Sequence, residues 1–365
     1  MPELPEVETI ARDLRGLVTG SRILDARSDW PATLRSHPAD AFRDAIVGRE
    51  IEGVGRRGKQ LLIWLGAGEG AGADPFVATV HLKMTGQLFV VATETPQDKH
   101  VHLTLVLADG RELRFRDIRK FGRVGLYRRN PVTGLPFDGE AEGVLATGVE
   151  PLSDEFTAAL FVQMLSRRRG RLKTLLLNQD FLAGVGNIYA DESLWRARLH
   201  PLQDAHTVKP AAARRLHEAL RDVLAEAVER RGSSVDDYTA PEGDGSMQEH
   251  LAVYQRVGEP CLRCGRPINR IVVGGRATHF CAKCQCLPVG QRAGTVADEG
   301  HAAEPAAAAR RGPRWTELDG ENALGRTADE ERVAADRAAQ RAFRVAATRK
   351  AAASRRAAAR SGGPA

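Results

Sequence analysis

The chain has 365 residues, more than one ordinary domain holds, so two or three domains are expected. A 42% hydrophobic fraction supplies a core, and a net charge of +6 with an isoelectric point near 9.2 favours an anionic partner. No run approaches the roughly 20 apolar residues of a membrane span, and MPELPEVETI has neither the basic start nor the apolar core of a signal peptide, so the chain reads as cytoplasmic.

In chain order, Val7, Ile10, Leu14 and Leu17 recur at helical spacing after Pro5, a residue suited to a helix's first turn. Strands are expected at 60–65, 75–82, 87–92, 100–107, 111–118 and 123–128, where β-branched and aromatic residues alternate between Gly, Asp and Pro. This predicts a domain over 1–130, one helix with an antiparallel sandwich or barrel. A Gly/Pro-rich acidic linker follows at 131–152. Helical periodicity then predicts an all-helical domain over 153–257, with a polar, mobile loop at 232–250. Residues 258–286 form a cysteine module, and from 287 the composition collapses to Ala, Arg, Gly and Glu, predicting a disordered tail to 365. The fold class is α+β and multidomain.

All five cysteines lie between Cys261 and Cys286. Cys261-x2-Cys264 and Cys281-x2-Cys284 are separated by sixteen residues, so two tight knuckles can present four thiolates to one structural Zn2+. INRIVVGGRATHF between them reads as a hairpin turning at Gly274-Gly275. A redox pair is the competing reading of each C-x-x-C, and Cys286 is left as a spare thiol. Arg266, Arg270 and Arg276 on this ribbon are suited to a phosphate or base edge.

Eight cations against two acids at 111–129, and five against none at 167–173, have the local density that phosphate neutralisation uses. The Gly184-Val185-Gly186 turn ahead of Asn187 reads as a helix N-terminus able to bind an anion, or as a simple cap. Pro2 and Pro5 with Glu3 and Glu6 fit an ordinary helix entry. Locally that is the stronger reading, but they also fit a nucleophile: removal of Met1 leaves Pro2 a secondary amine with a pKa near 8, able to attack a sugar C1′ and form an iminium.

Six motifs, MPELPEVET, RRGKQLLI (56–63), HLKMTGQL (81–88), DIRKFGRVG (117–125), LAGVGNIYADESLW (182–195) and the cysteine module (258–285), resemble the bacterial formamidopyrimidine-DNA glycosylases in order and content. The resemblance implies a β-sandwich with an N-terminal helix, a helix-two-turn-helix domain and a zinc finger. It also implies a monomeric enzyme of base-excision repair acting on damaged duplex DNA: excision of oxidised purines (8-oxoguanine, formamidopyrimidines), then strand cleavage by β,δ-elimination. By motif, Pro2 matches the Schiff-base nucleophile, Glu3 the assisting acid, Lys59 the β-elimination lysine and Arg276 the zinc-finger arginine that holds the lesion phosphate. Since chemistry at C1′ requires an extruded nucleotide, Met84, Arg119 and Phe121 match the side chains that fill the void. His100, Arg168, Lys173 and Asn187 match phosphate contacts. Association with the bacterial nucleoid follows from DNA binding.

Gln60, Ile118 and Thr174 stand where the family more often has an aromatic, a proline and a proline, and Tyr238 resembles the base-capping loop only loosely. The alternatives are the sister endonuclease VIII class, specific for oxidised pyrimidines, and a zinc-ribbon DNA-binding protein without catalysis. Leu4 speaks against the first, whose members begin MPEGPE; Pro2, Glu3, Lys59 and Arg276 together speak against the second. Charge is unevenly divided: 291–365 carries 14 cations and 10 acids, leaving the rest of the chain only +2.

Overall fold

The computed structural model describes residues 1–67, 74–137, 145, 148–233 and 245–291, which belong to one compact unit. Tyr238, most of the expected 232–250 loop, part of the linker and the tail from 292 lie outside the described residues.

Helix α1 (Leu4–Val18) starts where expected, with Glu3 as N-cap and Pro5 in its first turn. Val7, Ile10, Leu14 and Val18 are buried against the sheets, but so are Glu6 and Thr9, because α1 also packs against the helical domain. β1 (Ile23–Arg27), α2 (Ala39–Ile46), β2 (Ile51–Arg57), β3 (Gln60–Leu65), β4 (Phe76–His81), β5 (Gly86–Ala92), β6 (Val101–Leu107), β7 (Arg111–Asp117) and β8 (Arg123–Arg128) follow. They form two four-stranded sheets, ordered β1-β6-β7-β5 and β2-β3-β4-β8, with antiparallel pairing throughout. The choice between sandwich and barrel is thereby settled as a sandwich. Alternate residues such as Leu61, Ile63, Val80, Leu105, Leu113 and Phe115 meet between the sheets, with Phe42 and Ile46 of α2 closing the core.

The periodic reading finds α1 and the six strands from β3 onward, but it misses β1, α2 and β2. In β2 (IEGVGRR) the glycines look like breakers; here they make room, since a Cβ on Gly55 would stand 2.6 Å from the Trp64 ring and one on Gly53 3.2 Å from it. β1 and α2 are short, with two or fewer fully buried apolar residues each.

The second core gathers α3 (Ala158–Ser166), α4 (Leu172–Leu177), α5 (Asn187–Ala197) and α6 (Pro210–Glu229). Thr157 caps α3 by accepting from Leu160 N–H. β9 (Asn269–Val273) and β10 (Arg276–Phe280) pair across Gly274 (φ +55°) and Gly275 (φ +72°), the two left-handed residues that a tight I′ hairpin requires. A third small cluster, with Trp195, Val253, Cys261, Ile268 and Cys281, seats this hairpin on α5.

Candidate active site and nucleic-acid interface

The glycine turn before α5 does receive an acidic group, but an internal one. Gly184 (φ +85°) bends the chain so that its carbonyl accepts Leu4 N–H at 3.0 Å. This brings the Glu3 carboxylate onto the free N–H groups of α5, with Oε1 accepting from Ile188 at 2.9 Å and Oε2 near Tyr189 N at 3.4 Å. Glu3 is 2% exposed. Burial raises its pKa from the usual carboxylate value; Lys59 opposes the shift, Glu6 adds to it, and the Ile188 hydrogen bond opposes it. The resulting group is a carboxyl that retains its proton more readily than an exposed one.

Glu6, three residues on, fixes the segment. Its carboxylate accepts Glu3 N–H at 2.8 Å, Tyr189 O–H at 2.5 Å and Ser233 N–H at 2.8 Å. The E-x-x-E spacing is the signal for this reciprocal cap, but nothing local points to Tyr189 or Ser233.

Lys59 sits in the β2–β3 hairpin, where Gly58 takes φ +57° at the first turn position. Glu150, not singled out from sequence, holds that turn: it accepts Gly58 N–H at 2.5 Å and Arg56 Nη1 at 2.6 Å, with Arg57 at 3.6 Å. Lys59 is 8% exposed. Burial pushes its pKa down; Glu3 and Glu6 pull it up, and Arg276 and Lys173 lower it further. Glu3, Lys59 and Arg276 therefore lie within one electrostatic neighbourhood, although 273 residues separate the first from the last. Pro2 is buried beside Glu3, whereas Met1 is exposed. Opposite Gln60 in the sheet, His81 is driven to a pKa of about 3 by burial and by Lys83 and Lys59; its Nδ1 accepts Lys83 N–H, so this neutral ring has an N–H to offer.

The four expected cysteines converge. All four Sγ atoms lie within 4.8 Å of one another, with Cys264 to Cys281 at 3.4 Å and Cys261 to Cys284 at 4.0 Å, and none is in a disulfide. Tetrahedral Zn–S bonds of about 2.3 Å place sulfurs roughly 3.8 Å apart, so the donor set fits zinc. Cys286 is exposed, turned to the Ala282 and Lys283 carbonyls and outside the cluster. Behind the site, Trp195 Nε1 donates to Cys261 Sγ at 3.5 Å while Arg263 lies over the Trp195 ring, 3.8 Å from its centroid.

The expected void-filling residues stand together on two loops at one end of the sandwich. Met84 lies between β4 and β5, and Arg119 and Phe121 between β7 and β8. Asp117 ties the loops, accepting from Thr85 Oγ1 at 2.5 Å and Gly122 N–H at 2.6 Å. Met84 is 40% and Phe121 47% exposed, and the Arg119 guanidinium lies 5.1 Å from the Phe121 ring centroid. Lys83 (φ +56°) and Lys120 (φ +57°), beside the three, are left-handed without being glycine, a strain of roughly 1–2 kcal/mol each that marks loops held in a set shape.

Two expectations about cations need correction. The 111–129 run does not act as one continuous cationic face, because acids hold four of its eight cations. Arg114 is buried on Glu112, Arg111 pairs with Asp109, Arg116 with Asp98 and Arg129 with Glu52. Arg123 instead joins Lys83 and Arg35 in a mutually repelling group beside the loops, a cluster assembled from three separate segments. Lys173 is fully buried, with Nζ on Asp191 at 2.7 Å and on the Asn187 carbonyl at 2.9 Å, and so has no face toward a duplex. Asn187 spends its Nδ2–H on the Ala277 carbonyl at 2.9 Å, leaving Oδ1 buried without a partner. Arg168 is exposed beside Arg167 and Arg169, His100 is half-buried near the sandwich edge, and Arg266, Arg270 and Arg276 are exposed on the ribbon.

A sandwich with Met84, Arg119 and Phe121 exposed on two tied loops, a helical domain whose α5 receives the chain's N-terminal acid, and a four-cysteine hairpin together define a zinc-finger DNA glycosylase of the helix-two-turn-helix class. Family models agree over three segments: the formamidopyrimidine-DNA glycosylase N-terminal domain over residues 1–124, its H2TH domain over 147–239, and the zinc finger found in FPG and IleRS over 258–285. The chain belongs to the formamidopyrimidine-DNA glycosylase family. The formamidopyrimidine-DNA glycosylase of Herpetosiphon aurantiacus is 46% identical over 287 residues, covering 78% of this chain and all of that protein; that of Bacillus subtilis is 41% identical, with 78% and 99% covered. Among solved structures, Lactococcus lactis Fpg in complex with DNA containing an abasic site matches with a TM-score of 0.69 at 35% identity, covering 78% of this chain and 99% of that one. The MutM (FPG) protein from Thermus thermophilus matches with a TM-score of 0.66 at 44% identity, covering 79% and 100%. No helix among the described residues is long and apolar enough to cross a membrane.

Proposed function

We propose that this DNA glycosylase is bifunctional, excising oxidised purines from duplex DNA through an iminium on Pro2 and then nicking the strand by successive β- and δ-elimination. The observation that carries the reading is the placement of the Pro2-Glu3 dipeptide: Glu3 is locked on the α5 N-terminus beside Lys59, whose charge also feels Arg276.

Each residue's task follows from its surroundings. Removal of Met1 leaves a Pro2 amine whose ordinary pKa is near 8, so a useful fraction is neutral and can attack C1′. Glu3, with its raised pKa, holds the proton that the sugar ring oxygen takes as the ring opens. Lys59, with its lowered pKa, is neutral near physiological pH more often than it would be in water, and so can accept a proton there while remaining a cation for the adjacent phosphate part of the time. Arg276, at the hairpin tip, binds the phosphate that departs in the second elimination. Met84, Arg119 and Phe121 occupy the space left by the extruded nucleotide, with the Arg119 guanidinium placed to hydrogen-bond the orphaned base. His81, Arg168 and the Arg35, Lys83, Arg123 group supply donors and positive charge for the backbone. Cys261, Cys264, Cys281 and Cys284 would hold one structural zinc, which with four protein ligands has no open position and organises the hairpin. The protein acts as a monomer, with the domain limits read from the sequence.

Single-turnover excision from duplexes carrying 8-oxoguanine opposite cytosine, compared with duplexes carrying an oxidised pyrimidine, tests the substrate class. Faster release of 8-oxoguanine supports it; excision of the pyrimidine alone moves the chain to the sister specificity.

A further inference from the structure

The cysteine end of the module is seated on α5 through Trp195. Strand β10, which leads on from Arg276, is held separately by two residues one turn apart on α5. Asn187 Nδ2 donates to the Ala277 carbonyl at 2.9 Å, and Asp191 Oδ2 accepts His279 N–H at 2.8 Å and lies 3.1 Å from His279 Nδ1. An ionised carboxylate has no proton to give, so Nδ1 carries the hydrogen. The two side chains therefore grip β10 at alternate residues, immediately after Arg276. Asp191 is 1% exposed, and its second oxygen takes the fully buried Lys173 ammonium at 2.7 Å. Lys173 also donates to the Asn187 carbonyl, which locks the two gripping residues to α4. On the same helix Thr174 lies under the hairpin turn, 3.5 Å from where a Cβ on Gly274 would be.

We infer that Asp191 is a positioning residue for Arg276, with Lys173 its buried counter-ion rather than a DNA ligand. The inference rests on the assignment of Arg276 to the departing phosphate. Asp191 fixes the register of β10 along α5, and the guanidinium follows from that register. A buried carboxylate stays ionised only with charge and donors around it; Lys173 supplies the charge and β10 supplies two of the donors. The same pair thus makes the hairpin's seat depend on α4 and α5 as a unit.

The test uses full-length, zinc-loaded enzyme on an 8-oxoguanine duplex and reads the ratio of δ- to β-elimination products. Variants are Asp191→Asn, Asp191→Asn with Lys173→Met, Arg276→Ala, and Asp191→Asn with Arg276→Ala. The ratio falls about tenfold in the first two, with zinc stoichiometry retained; the Lys173→Met partner removes the orphaned ammonium that would otherwise blur a fold defect with a positioning defect. On the Arg276→Ala background the Asp191 change adds nothing, because both act through one guanidinium. An unchanged ratio in both Asp191 variants, or a loss that multiplies on the Arg276→Ala background, overturns the inference. Should Arg276→Ala itself leave the ratio unchanged, the assignment of Arg276 fails, and amide hydrogen exchange still judges the clamp: Asp191→Asn must speed exchange of the 279 amide, and unchanged protection refutes it.

Discussion

Gly186 is the narrowest point of the proposed chemistry, and an alanine there separates catalysis from folding. Its backbone (φ −129°, ψ −158°) is one that alanine adopts without strain, so the main chain has no reason to move. The new methyl, however, would stand 2.3 Å from Glu3 Cδ and 2.5 Å from its Oε1. Ordinary carbon contacts begin near 3.5 Å, so the carboxylate must retreat by ~1 Å, away from Ile188 N–H. A hydrogen bond of this kind contributes about 0.5–1.5 kcal/mol to stability, whereas a misplacement of this size in a catalytic group costs about 100-fold. Gly186→Ala should therefore retain its unfolding midpoint within a few degrees and its affinity for an uncleavable abasic analogue, while single-turnover base excision drops by about 100-fold. Gly184→Ala is the contrasting control: with φ +85° and Leu4 Cβ 2.7 Å from the added carbon, it loses stability first. Wild-type excision by a folded Gly186→Ala enzyme would show that the Glu3 position is not what the turn protects.

Three further outcomes can be checked. Because Glu3 binds its proton more tightly when folded than at its ordinary value of 4.5, its contribution to stability is full below that value and lost as pH rises through the raised native pKa; Glu3→Gln removes the dependence. Denaturant unfolding over a pH series should show the variant gaining on the wild type as pH rises, and parallel curves would contradict the burial argument. Removing zinc with a chelator should abolish duplex binding while the sandwich keeps its β-sheet circular dichroism, with one equivalent of zinc restoring binding; a chelator-insensitive enzyme would contradict the placement of Arg276. Deleting residues 292–365 should leave excision chemistry unchanged, since the Herpetosiphon relative is covered in full by 287 aligned residues. It should also flatten the dependence of nonspecific duplex affinity on salt, because 332–365 holds nine cations and one acid. An unaltered slope would leave those cations no part in binding.

Much of the molecule is legible where chemistry is local. The convergence of the four cysteines follows from spacing alone, since two knuckles and a Gly-Gly hairpin need no distant partner, and β3 to β8 follow from alternation. The readings that fail depend on tertiary neighbours. Charge density at 111–129 counts cations without seeing that Glu52 and Asp98 cross over to neutralise two of them. Lys173 reads as a surface cation, although Leu172 and Leu176 already place its helix against the core. The anion site before Asn187 is recognisable as physics but not by its occupant, because nothing at residue 187 announces that residue 3 arrives there. Glu150 has no local signature at all; its role exists only because the β2–β3 turn reaches the linker.

The central claim is that Pro2 is the nucleophile, and the most direct measurement is to locate the covalent bond. Enzyme lacking Met1 is reacted with an 8-oxoguanine duplex in borohydride, digested, and the adducted peptide sequenced by mass spectrometry. The account predicts one adduct on the Pro2 nitrogen, absent in Pro2→Gly. An adduct on Lys59 or another amine, or efficient excision by a protein that retains Met1, would contradict it.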